Sequence, residues 1–294
     1  MKHTMASAVL AGLALVGSAI AGTSDASLAN KIGSKYRITS QDEWFGGKRV
    51  IFDFNGEEAW VVSPSVAEAK GRPWTWTMEW PTAFVRRTGA PEMLSRGWHH
   101  VTLRPGSYVD GKFVSKAGNM NDDRLRRSRE FQRYLVEELG FNPKACLIGM
   151  SWGGFYSVRY SGTYPECVRR AYIDAPLLDF TTLPNWPKWS CMETYHVEKD
   201  YVGADDPRMP VNMAERLARG GVEVLLLYGG QDKTVPPEKN CELFVTRFLA
   251  AGGRLINGIK DGENRGRGAY GHHPHGLEID EQGKLADFFE NGVR

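Results

Sequence analysis

Cysteine is scarce in this 294-residue chain: there are four, and no two form a Cys-x-x-Cys pair. Thiolate zinc sites and dithiol redox centres need that spacing, so its lack argues against both. A His-Glu-x-x-His run is missing too, which removes a common helical zinc-hydrolase signature. No charge of one sign dominates, since 37 Lys and Arg face 35 Asp and Glu for a net +2. Nucleic-acid binding requires a concentrated positive field, and so balanced a chain offers none. The one basic cluster, Arg124-Leu125-Arg126-Arg127-Ser128-Arg129, is interleaved with Asp122, Asp123 and Glu130 and reads as a solvated helix face. Long apolar runs are confined to Ala8–Ile20, too short for a comfortable membrane span, with no second stretch behind it. Internal repeats are lacking, so a solenoid or propeller is not indicated.

What stands at the N-terminus has the form of a secretory signal. Lys2 and His3 precede the apolar run, and Ala19-Ile20-Ala21 supplies a small-x-small cleavage pattern before Gly22. The expectation is a signal peptide at 1–21, a flexible leader at 22–35 and one domain at 36–294. The mature protein would be secreted or periplasmic, with no stable membrane insertion after cleavage. In an exported chain, Cys146, Cys167, Cys191 and Cys241 are compatible with disulfides. Three pairings are possible and the spacing does not choose among them.

Along the chain, apolar strands alternate with amphipathic segments. Lys48–Phe54 and Glu58–Ser63 read as strands joined by Asn55-Gly56, a hairpin turn. Residues 64–81 read as a loop, 82–95 as a helix and Trp98–Leu103 as a strand. Leu125, Phe131, Tyr134, Leu135 and Leu139 recur at helical spacing, and Gly140 and Pro143 end that segment. Strand 145–150, a helix to Tyr164 and strand Arg169–Ile173 follow. Val222–Tyr228 is apolar apart from Glu223, as expected of a strand covered on both faces. Helix 237–250, strand 254–259 and helix 284–289 close the chain. The pattern predicts an α/β fold with a mostly parallel sheet. The irregular segment 177–221 is a candidate lid.

The stretch Leu147-Ile148-Gly149-Met150-Ser151-Trp152-Gly153-Gly154 runs an apolar strand straight into Gly-x-Ser-x-Gly-Gly. This is the form of a nucleophile elbow, in which a sharp turn lifts a serine hydroxyl out of the sheet. Glycines two residues to either side leave room for strand and helix to pack around the turn. Trp152 then offers an amide at the helix start, where an oxyanion is stabilised. The competing reading is a glycine-rich turn whose serine caps a helix.

A serine hydroxyl needs a histidine base, itself oriented by a carboxylate. Asp232 follows the apolar strand in Leu225-Leu226-Leu227-Tyr228-Gly229-Gly230-Gln231-Asp232, with Asp174 as the rival acid after the preceding strand. Alternatively, Asp232 is a turn residue bonded to its own backbone. The base falls in Gly271-His272-His273-Pro274-His275, where His272 is preferred, then His273, then His275. Clustered histidines also suggest a metal, but no coordination set accompanies them. His99 and His100 belong to a strand and read as structural.

Together these three segments resemble the α/β-hydrolase superfamily, particularly secreted bacterial esterases and prolyl-oligopeptidase-like serine hydrolases, over roughly residues 45–290. The resemblance implies an eight-stranded, mostly parallel sheet with helices on both faces and a small lid. It also implies acyl-serine chemistry without a cofactor. The acid follows strand seven and the base strand eight, which correspond to Asp232 and His272. One departure is visible: Ala59-Trp60-Val61-Val62-Ser63-Pro64 is not followed by the His-Gly pattern that many lipases use for the oxyanion hole. The two donors are therefore expected to be the amides of Trp152 and, in Gly71-Arg72-Pro73-Trp74, of Trp74. Trp76, Trp186 and Trp189 are expected to line a substrate cleft, pointing to a carbohydrate-linked or other small-molecule ester. The alternatives are a serine peptidase acting on small peptides and a non-catalytic glycan-binding protein with a hydrolase fold.

Overall fold

The computed structural model describes residues 28–115, 120–183, 205–260, 271–272, 275–278 and 281–294. The expected signal peptide, residues 184–204 of the candidate lid, Trp186, Trp189, Cys191 and His273 fall outside the described residues. Residues 28–33, expected within a flexible leader, form a short helix, α1, that buries Leu28 and Ile32.

Three antiparallel strands open the sheet: β1 (Ile38–Trp44), β2 (Gly47–Phe54) and β3 (Glu57–Ser63). Asn55-Gly56 makes the β2–β3 turn with both residues at positive φ, the geometry expected of that dipeptide. The chain continues through β4 (Trp74–Thr77), α2 (Ala90–Ser95), β5 (His99–Arg104), the hairpin β6 (Gly106–Val109) and β7 (Lys112–Ser115), and α3 (Asp122–Glu137). Next come β8 (Ala145–Met150), α4 (Trp152–Thr163), β9 (Val168–Asp174), α5 (Ala214–Arg219), β10 (Glu223–Gly229), α6 (Cys241–Ala250), β11 (Leu255–Lys260) and α7 (Gln282–Asn291).

Among the described residues the main sheet has nine strands in the order β1-β2-β3-β5-β4-β8-β9-β10-β11, parallel from β5 onward. Nine replace the expected eight because β1 adds an edge. Its sequence, Ile-Thr-Ser-Gln-Asp-Glu-Trp, is mostly exposed and carries little apolar signal. The segment 64–81, read as a loop, contains β4, a short strand between β5 and β8. The helix expected at 82–95 is only α2, because Gly89 is left-handed at φ 79 and Pro91 has no amide to continue a ladder backward.

Both faces are apolar, which is why these strands read as continuous hydrophobic runs. In β8, Ala145 and Leu147 join the cluster beneath α3 and α4, while Cys146 and Ile148 join the one beneath α2 and α7. Each fully buried leucine contributes about 1.5–3 kcal/mol. Helix α3 starts where the Asn121 side chain accepts from the Arg124 amide at 2.8 Å, with Asp122 and Asp123 in its first turn. Its buried Gln132 is fully used, donating to Pro143 O and Cys167 O and accepting from Tyr160 Oη. A buried ion pair, Arg170 Nε to Glu223 Oε2 at 2.7 Å, joins β9 to β10, and Arg170 also donates to Phe289 O in α7. His100 is buried between the Thr75 hydroxyl and a stacked Trp44 ring, and burial pulls its pKa down to about 3. Among the described residues no helix is long and apolar enough to cross a membrane. Parallel strands place their C-terminal ends along one edge, and β8, β9 and β10 bring three loops together there.

Candidate active site

Ser151 lies at the turn between β8 and α4 with φ 51 and ψ −115, outside the regions open to ordinary residues at low cost. Such backbone costs about 1–3 kcal/mol and persists only where the surroundings enforce it. Here they do. The Ser151 amide donates to Asp174 O at 3.0 Å, while its carbonyl accepts from the amides of Gly154 and Leu177. A Cβ on Gly149 would overlap the Gly153 carbonyl oxygen and Ser157 Oγ, and one on Gly154 would lie 2.8 Å from Pro176 Cα. Strand and helix meet too closely for side chains at either position. Ser151 makes no capping bond to the helix; its Oγ faces a histidine instead.

That histidine is His272, whose Nε2 is 2.9 Å from Ser151 Oγ and whose Nδ1 is 2.8 Å from Asp232 Oδ2. An ionised carboxylate only accepts, so Nδ1 carries the proton and Nε2 is left to accept from the serine. Asp232 is 5% exposed, and its other oxygen accepts from the amides of Thr234 and Val235 at 2.9 Å each. Asp232 is therefore a turn residue and a histidine partner at once, one oxygen serving each. The two alternatives weighed for it from sequence coexist.

His275 turns elsewhere. Its Nδ1 is 3.0 Å from Asp174 Oδ1, so the rival acid and the third-choice histidine form a separate pair.

The second expected oxyanion donor needs correction. Trp74 begins β4, and the register pairs Thr75 with Cys146 and Thr77 with Ile148. Trp74 is thus level with the start of β8, six residues before Ser151 and ~20 Å away at ~3.3 Å per residue. Its indole is wholly buried and donates to Asn142 O. The residue that does reach the elbow is Glu79, two residues past the end of β4. Its amide nitrogen is 3.6 Å from where a Cβ on Gly153 would stand. Alternating aromatic and β-branched residues in Trp74-Thr75-Trp76-Thr77 are the signal that identifies a strand there, and treating them as one moves the following loop to Glu79. Trp76 is likewise not in a cleft: it is 1% exposed and packed between Phe131 and Tyr160. Trp80, 46% exposed and at φ 57, is the tryptophan that the loop after β4 presents to solvent.

Glu79 brings a carboxyl group to this edge of the sheet. Burial pushes its pKa up to about 7 against the pull of the nearby Arg124 and Arg104 and of a bond from the Trp80 amide. Cys146, Cys167 and Cys241 are buried free thiols, and burial raises the pKa of each, that of Cys146 to about 12. Buried, protonated thiols of this kind are inert as nucleophiles. Among the described residues no group of three or more His, Cys, Asp or Glu side chains is placed to hold a metal ion.

No protein-family model matches the sequence, and neither does any curated protein. Solved structures do. The chain is similar to an S-formylglutathione hydrolase from Agrobacterium tumefaciens, with TM-score 0.63 and 16% identity over 88% of this chain and 100% of that one. It is similar to an acetyl xylan esterase from Paenibacillus sp. R4, with TM-score 0.55 and 16% identity over 92% of each chain. An acylaminoacyl peptidase from Pyrococcus horikoshii aligns with TM-score 0.61 and 14% identity over 84% of this chain, which spans 42% of the peptidase. Together with the sheet order, these likenesses identify the fold as that of the α/β-hydrolases.

Proposed function

We propose that this chain is a serine hydrolase that cleaves carboxylic esters through an acyl-serine intermediate. The observation that carries the reading is the unbroken line Asp232–His272–Ser151, ending on a hydroxyl held at a strained elbow. His272 takes the proton from Ser151 as Oγ attacks the ester carbonyl, and Asp232 stabilises the imidazolium that results. The alkoxide of the tetrahedral intermediate is stabilised by the Trp152 amide at the first turn of α4 and by the Glu79 amide across from it. The imidazolium returns its proton to the leaving alcohol. A water molecule, activated by the same imidazole, then attacks the acyl-serine carbon and frees the acid.

Of the tryptophans first assigned to a sugar-binding cleft, Trp76 is a core residue, so Trp80 carries that argument among the described residues. A carbohydrate-linked ester remains the substrate class proposed, with Trp80 as the stacking surface. The signal-like N-terminus supports export, which N-terminal sequencing of the mature protein from the periplasm or medium tests.

The deciding experiment is intact-mass analysis after treatment with a fluorophosphonate, on wild type and Ser151→Ala. One adduct on Ser151, absent in the variant, is the expected result. A folded wild-type protein that takes no label and hydrolyses no aryl acetate overturns the proposal. Hydrolysis of aminoacyl amides in preference to aryl acetates would favour the peptidase alternative.

A further inference from the structure

The elbow and the base belong to chain segments more than a hundred residues apart, yet they must meet within a hydrogen bond. One residue touches the segments that carry both. Asp174, wholly buried at the end of β9, accepts the Ser151 amide on its backbone carbonyl at 3.0 Å. Its carboxylate faces the other way, into the histidine loop. Oδ1 is 3.0 Å from His275 Nδ1, and Oδ2 accepts from the Gly276 amide at 2.9 Å and from Tyr172 Oη at 2.6 Å. A buried carboxylate is costly unless its lone pairs are used, and these donors use them.

The loop beyond His275 is pinned a second time. Gly276, at φ +84, lies so close to Arg87 that a Cβ would stand 2.8 Å from the Arg87 carbonyl carbon, and Leu277 donates its amide to Arg87 O. The ring of His275 then packs edge-on against that of His272, with centroids 5.0 Å apart and an interplanar angle of 84°. The imidazole that faces Ser151 is therefore held at one end by Asp232 and on its flank by a ring that Asp174 holds.

We infer that Asp174 and His275 form a positioning pair that sets the reach of His272 to Ser151, by tying the histidine loop to the same strand end that holds the elbow. The inference rests on the serine-hydrolase reading. His275 acts through His272 and takes no proton from substrate. Asp174, weighed from sequence as the acid of the triad, has this other task. A flank that lets the base drift by about 1 Å costs about 10²-fold in turnover while leaving substrate binding nearly alone.

The test compares wild type, His275→Leu, His275→Asn and Tyr172→Phe in kcat and KM on an aryl acetate, fluorophosphonate labelling rate and melting temperature. His275→Leu fills the space without a donor, and its kcat and labelling rate are expected to fall together by about 10²-fold with KM within threefold. In His275→Asn the amide Nδ2 stands near the place of Nδ1 and donates to Asp174, so kcat is expected to return to within tenfold of wild type. If His275→Leu does not fold, Tyr172→Phe removes one donor to Asp174 and keeps the aromatic body; a severalfold loss of kcat at constant KM is then expected. Full kcat in His275→Leu, equal loss in the Leu and Asn variants, or an unchanged Tyr172→Phe where Leu does not fold overturns the positioning role alone. A wild-type protein inert to both ester and label removes the hydrolase reading, and this inference with it.

Discussion

Replacing Gly149 by alanine asks the elbow to admit a methyl group where none fits. The new Cβ would stand 2.6 Å from the Gly153 carbonyl carbon and overlap both that carbonyl's oxygen and Ser157 Oγ. Contacting carbons settle at about 3.5–4.0 Å, so the first turn of α4 must retreat by about 1 Å. Nothing there can swing aside as a rotamer: the obstruction is backbone, and Ser157 Oγ is itself bonded to Gly153 O at 2.8 Å. Overpacking of this kind costs about 1–3 kcal/mol. In a chain of this size each kcal/mol lowers Tm by about 2–4 °C. The larger effect falls on turnover, because the displaced turn carries Ser151 and the Trp152 amide, and an error of about 1 Å costs about 10²-fold. Aryl acetate hydrolysis and calorimetry measure the two effects. Gly283→Ala in α7 is the control, since its Cβ would meet nothing within 4 Å, and it is expected to leave rate and Tm unchanged or slightly improve the latter. A Gly149→Ala protein with wild-type turnover and Tm would refute the steric account of the elbow.

Three further outcomes are expected. His100 has a folded pKa near 3 against a reference of 6.5, so the fold favours its neutral form; its contribution is complete above pH 6.5 and is lost as pH falls toward 3. Its share of the slope is up to about 1.4 kcal/mol per pH unit, and His100→Asn should flatten the acid side of a curve of unfolding free energy against pH by up to that amount. Glu79 has the opposite sign: a carboxyl raised from 4.5 to about 7 makes the fold less stable as pH climbs through that interval. Glu79→Gln should therefore gain about 1–3 kcal/mol at pH 8 and little at pH 4, read from urea unfolding at the two values. Glu223→Gln leaves Arg170, buried at the far end of the sheet, without its counter-charge. A loss of about 3–5 kcal/mol is expected by denaturation, with kcat unchanged where the protein remains folded.

Local patterns carried much of this molecule. Asn55-Gly56 made the hairpin because a two-residue turn with both φ positive has few other occupants. The apolar runs at 145–150 and 224–228 became central strands because a strand covered on both faces has almost no polar side to show. Gly149 and Gly154, two residues before and three after the serine, flanked it for steric reasons visible at short range along the chain. Other elements had no local signal. The polar edge strand β1 exists because β2 offers it backbone partners. Strand β4, only four residues long, owes its existence to the gap between β5 and β8, and its tryptophans face the core rather than a ligand. The choice among three histidines also lay beyond the sequence. His272 and His275 are alike in type and neighbourhood along the chain, and each faces a buried aspartate at the end of a strand. Which pair lies in reach of Ser151 depends on where β9 and β10 end relative to β8. That is a matter of strand register across the sheet, and only the packed tertiary structure sets it.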